Sequence, residues 1–95
     1  MDSDLAFEKR VGLFVAMLPY LGQAEACKYL SALNLHEYVR IFDSHSKPKF
    51  EMSQQNKNIL DAFKQKGWIF EYVEDETRPD YYKIRRREPR KNEKE

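Results

Sequence analysis

The 95-residue sequence predicts an α+β domain in which about three helices precede a C-terminal β-hairpin. Three observations predict it. Phe7, Val11, Phe14 and Leu18 recur at four-, three- and four-residue steps, the spacing of one helix face. A second helical pattern begins at Ser53 and stops at Lys66-Gly67. Residues 68–73 and 81–84 are rich in aromatic and β-branched side chains and flank an acidic turn, as the strands of a hairpin do.

The first helix is expected over residues 4–18. Leu13, Met17 and Tyr20 widen its apolar stripe, and Pro19 disfavours the helical region for the residue before it. A second helix, over 23–33, places Cys27, Leu30 and Leu33, with Ala24 and Ala26, at helical spacing. Asn34 and Glu37 have the spacing of a capping box, which would open a third short helix over 35–42 with a face of Leu35, Tyr38, Val39 and Phe42. Residues 43–48 carry turn chemistry, and 49–52 form a short strand. Ser53 then caps a helix whose core face is Ile59, Leu60 and Phe63, and Gly67 ends it in the left-handed conformation that side chains resist. In the hairpin, alternation puts Trp68, Phe70 and Tyr72 on one face, met by Tyr82 and Ile84 from the second strand. Trp68, the largest side chain, is expected to anchor the core. The domain spans 1–87. Apart from Pro89, residues 88–95 carry only polar and charged side chains, and they are expected to form a charged flexible tail.

A chain of this length supports one modest core, which suits a binding module better than a catalytic domain. Hydrophobic residues make up 41% and aromatics 14%, enough to fold despite 35% charged residues. The lone Cys27 has no internal disulfide partner, and a reducing cytoplasmic or nuclear compartment is expected. The apolar run at 11–21 is too short to span a membrane and is interrupted by Pro19, so no membrane association is expected. His36 and His45 lack ligand spacing, and no phosphate loop, nucleophile elbow or HExxH pattern occurs. Enzymatic activity, a metal and a cofactor are therefore not expected.

The net charge of +1 conceals an asymmetry. Residues 83–95 carry +4 and residues 44–66 carry +3, whereas residues 71–80 carry −4. A basic helix and a basic tail thus flank an acidic hairpin tip.

The segment 53–84, with Leu60, Lys66-Gly67-Trp68-Ile69, an acidic loop and Tyr81-Tyr82-Lys83-Ile84, resembles the third helix and wing of winged helix-turn-helix DNA-binding domains. The likeness covers about a third of the chain. It implies a winged-helix-like fold and a small regulator of transcription or replication bound to double-stranded DNA. Turning Ile59, Leu60 and Phe63 inward leaves Gln54, Lys57, Asn58, Asp61 and Gln65 outward. Asn and Gln amides can pair with adenine in the major groove, and Lys can reach guanine. A polar face is also what any amphipathic helix presents to water. Lys47, Lys49, Arg78, Arg85, Arg86 and Arg87 complete the candidate DNA contacts, as groups able to meet phosphates.

A second reading keeps the fold and changes the partner. Glu74, Asp75 and Glu76 would be repelled by DNA and could instead dock a basic surface of a protein, making the chain an adaptor or inhibitor. A homodimer through Leu13, Met17 and Tyr20 is a further expectation, since the first helix has more apolar surface than one face needs.

Overall fold

A computed structural model of the chain describes residues 6–43 and 45–86. Helix α1 spans Phe7–Met17 and continues as a 3₁₀ turn, Leu18–Tyr20, with Pro19 accepted in its first positions. Helix α2 covers Gln23–Ala32, and a 3₁₀ helix follows at His36–Phe42. Strand β1 (Lys49–Glu51), helix α3 (Gln54–Lys66) and strands β2 (Glu71–Asp75) and β3 (Arg78–Arg85) complete the described chain. The strands form one antiparallel sheet in the order β1-β3-β2. The class is α+β, and the sheet has the strand at 49–51 as a third member beside the hairpin.

The α1 stripe packs as its spacing predicts, with Val11, Phe14 and Leu18 buried and Phe7 half-buried. Ser53 caps α3 by accepting from the Asn56 amide at 3.1 Å. Gly67 leaves the helix at φ 83°, where the Gly67 and Trp68 amides bond back to the Lys64 and Phe63 carbonyls. Ile59, Leu60 and Phe63 are fully buried beneath it.

Three local expectations are corrected. Asn34 does not open the third helix. It adopts φ 59° and closes α2, with the Asn34 amide bonded to the Ser31 carbonyl and the Leu35 amide to that of Leu30. Asn tolerates this left-handed position better than most side chains. The segment it introduces is a 3₁₀ helix, so its buried residues recur every three positions, as Leu35, Tyr38 and Ile41. Val39 and Phe42, expected from the α-helical period, are only half-buried, and Ile41 takes the core position.

The third correction concerns the hairpin. Residues 68–70 are a bend rather than strand, and β2 begins at Glu71. Ile69 turns into the core while Phe70 stays 43% exposed, so Trp68, Phe70 and Tyr72 do not share a face. The turn is also tighter than 74–80, because β3 begins at Arg78 and pairs it with Asp75 after a shift of register at Glu74/Asp75. The inner face of the sheet carries Phe50, Tyr72, Tyr82 and Ile84, which are matched across the strands. The expected start of the first helix at residue 4 and the tail at 88–95 lie outside the described residues.

Two arginines tie distant segments together. Arg10 of α1 donates from Nη1 to the carbonyls of Leu33 and Asn34, each at 3.2 Å. Arg86 donates from Nη2 to the carbonyls of Ile41 and Asp43 at 2.7 and 3.0 Å, closing the end of the 3₁₀ helix against the last residue of the described chain.

Candidate functional site

Helix α3 turns Gln54, Lys57, Asn58, Lys64 and Gln65 to solvent, opposite its buried face. Gln54 donates to the Asn58 side-chain oxygen at 2.9 Å, so one turn of the helix holds two amides as a linked pair. Lys57 lies 3.7 Å from Asp61. Asp61 also accepts the Tyr72 hydroxyl at 2.5 Å, and this bond joins α3 to β2. Burial, and then the Asp61 carboxylate, push the Tyr72 phenol well above its usual range, so it serves as a proton-bearing donor.

The basic candidates divide by what already holds them. Lys49 pairs with Asp75 at 2.7 Å across the sheet. Arg85 pairs with Glu71 at 2.5 Å. Arg86 is engaged by the two carbonyls of the 3₁₀ helix end. Arg78, at the start of β3, stacks over Tyr81 at 3.7 Å and remains exposed, as does Lys47. Arg87 lies outside the described residues.

The acidic candidates divide as well. Glu74 and Glu76 are exposed, but Asp75 is only 3% exposed. Its carboxylate accepts both the amide and the hydroxyl of Thr77 at 2.9 Å while facing Lys49. The Lys49 ammonium first, and the Thr77 amide next, hold the Asp75 carboxyl far below the usual carboxylate range. The folded protein therefore binds this proton less readily than the unfolded chain. The pairing contributes stability at pH above about 4 and loses it as the pH falls. Asp75→Asn is expected to flatten the acid limb of a stability profile measured by urea unfolding between about pH 5 and pH 2. An unchanged acid limb would assign it to other carboxylates.

A groove of about 410 Å³ runs between α1 and α3, lined by Glu8, Val11, Gly12 and Val15 on one side and Gln54, Gln55, Asn58 and Asp61 on the other. Among the described residues no cluster of three or more His, Cys, Asp or Glu side chains gathers as metal ligands would, and no helix is long and apolar enough to cross a membrane. Cys27 is half-buried, and burial raises its thiol pKa, which lowers its reactivity.

Of the residues that sequence reasoning turned outward on α3, Gln54, Lys57, Asn58 and Gln65 are exposed and joined by Lys64, whereas Asp61 is half-buried because it accepts the Tyr72 hydroxyl. The same reasoning missed the inward Asn56, 5% exposed, although Asn56, Ile59, Leu60 and Phe63 repeat at the core spacing and so mark it as a buried polar position. Compared with family models, curated proteins and solved structures, the chain shows no match.

Proposed function

We propose that this chain is a small, winged-helix-like protein that binds double-stranded DNA and regulates transcription or replication, with α3 as the reading helix. The observation that carries the reading is the outward strip of α3, where Gln54, Lys57, Asn58, Lys64 and Gln65 stand exposed between α1 and the hairpin. A helix bearing exposed amides and lysines, followed by a hairpin, offers side chains of the kind that read base edges and meet phosphates.

With Lys49, Arg85 and Arg86 each held at short range by the protein's own carboxylates or carbonyls, phosphate neutralisation falls to Lys47, Lys57, Lys64 and Arg78. The Lys57–Asp61 pair is exposed and long, so it yields readily to a phosphate. Four contacts correspond to a slope of about −3.6 in log K against log salt. Anisotropy titrations with a mixed-sequence duplex between about 50 and 200 mM salt measure it. Lys64→Ala is expected to flatten the slope by about one unit, and Asn58→Ala to alter sequence preference more than salt dependence. A slope near zero would remove the DNA reading.

A second reading, a protein-interaction module, is favoured by the tip. Glu74 and Glu76 project from a turn that the buried Asp75 holds in place through Thr77 and Lys49, which presents two carboxylates on a firm support. Neutralising both separates the readings. Duplex affinity rises if they only repel phosphate, and is unmoved if they serve another partner. A homodimer through α1 has surface to use, since Leu13 and Tyr20 remain 48% and 80% exposed. Sedimentation of the free chain tests it.

A further inference from the structure

We infer that the groove between α1 and α3 receives a basic segment of a partner protein, whose arginine or lysine side chain lies against α1 at Gly12. The inference goes beyond DNA binding and does not depend on it.

Two independent observations carry it. The first is Gly12. It lies at the middle of α1, where glycine costs helix stability relative to alanine. Among the described residues, a Cβ at this position would meet nothing within 4 Å, and the backbone angles need no glycine. The fold therefore gives no reason for its presence, whereas a chain or side chain approaching α1 closely from outside does. Gly12 lines the groove.

The second is charge. Among the described residues, Glu8 and Asp61 line the groove and no lysine, arginine or histidine does. Glu8 takes part in none of the ion pairs found among the described residues. Asp61 accepts the neutral Tyr72 hydroxyl at 2.5 Å and meets one cation, Lys57, across an exposed gap of 3.7 Å, so its charge is only partly offset. Gln54, Gln55 and Asn58 add carbonyl oxygens that can accept from a guanidinium or ammonium group. Val11 and Val15 supply an apolar wall for the methylene stem that such a side chain carries. A nucleic acid would bring phosphates to these two carboxylates, so the groove fits a basic protein segment better than a duplex. Gln54 and Asn58 also belong to the strip proposed to read DNA, and an occupied groove would cover them.

The test is a titration of the ¹⁵N-labelled full chain with an acetylated, amidated hexapeptide of alternating arginine and glycine, followed by amide shifts. Saturable shifts are expected at Gly12, Val15 and Asn58. Glu8→Gln should weaken binding about tenfold, the scale of one charge-assisted contact. Gly12→Ala should weaken binding by a similar factor while raising the melting midpoint by roughly 4 °C. A neutral tip, Glu74→Gln with Glu76→Gln, should leave the peptide affinity unchanged. The proposal is overturned by shifts centred on the tip and lost with it, by full affinity in Gly12→Ala, or by a lowered midpoint in that variant, which would mean the fold itself needs the glycine. It is equally overturned if a duplex, and not the peptide, moves Gly12 and Val15. Lys64→Ala, which tests DNA binding, should leave the peptide affinity intact, so the two readings fail separately.

Discussion

Phe63→Ala is expected to destabilise the protein by about 3–5 kcal/mol, a large share of the roughly 5–15 kcal/mol available to a small domain. The ring is wholly buried. It meets Phe14 at 5.8 Å, Phe42 edge-on at 5.5 Å and Trp68 at 5.7 Å, so one side chain of α3 joins α1, the 3₁₀ helix and the bend that leads into β2. Removing it leaves a cavity that none of these three elements can fill alone. Trp68 is the larger ring, yet it is half-buried at the edge of this cluster, packed on Phe42 and Phe63 with the Lys66 ammonium 5.2 Å from its ring centre. Trp68→Ala should therefore cost less, about 1.5–3 kcal/mol. Urea unfolding of both variants checks the order. A greater loss for Trp68→Ala would restore the tryptophan as the anchor that its size suggests.

That contrast shows where sequence reasoning is sound and where it stops. The α1 stripe and the Ser53–Gly67 helix were legible because one apolar period, a cap and a stop all agree over many residues. The segment at 36–42 was misread because two periods, 3.0 and 3.6, nearly coincide over seven residues, and only the backbone decides whether Ile41 or Phe42 turns inward. Trp68 was misplaced because the exit from Gly67 spends three residues on a bend before pairing begins, and that shift reverses which residues face the core. Among the candidate contacts, the exposed strip of α3 follows directly from helix geometry. The fate of the charged residues does not. Lys49 and Asp75 lie on strands that are not neighbours in the sheet, and Arg86 reaches carbonyls 45 and 43 residues away. Such ties depend on topology, which local spacing does not encode. A cluster of basic residues in sequence thus became a set of internal supports in which only some cations remain outward.

The buried Asn56 carries the second large effect. It accepts the Tyr38 hydroxyl on its side-chain oxygen and donates from Nδ2 to the Glu51 carbonyl at 2.6 Å, linking the 3₁₀ helix, α3 and β1. Burial, and then the nearby Glu37 charge, raise the Tyr38 phenol well above its usual range, so it remains a neutral donor. Asn56→Ala strips a partner from two groups, the hydroxyl and the carbonyl. At about 1–3 kcal/mol for the buried hydroxyl and about 1 kcal/mol for the part-buried Glu51 carbonyl, which water can reach, a loss of about 2–4 kcal/mol is expected. Tyr38→Phe leaves only the amide oxygen unpaired and should cost about 1–2 kcal/mol. The double variant Tyr38→Phe with Asn56→Ala removes both ends of one bond, so its cost should fall short of the sum by about 1 kcal/mol or more. Strict additivity in this cycle would mean that the hydroxyl and the amide do not act on each other. The same network seats the first turn of α3, from which Gln54, Lys57 and Asn58 project. In Asn56→Ala the amide shifts of those residues should move as stability falls, because the direction in which the outward strip points is set by the polar bonds beneath it.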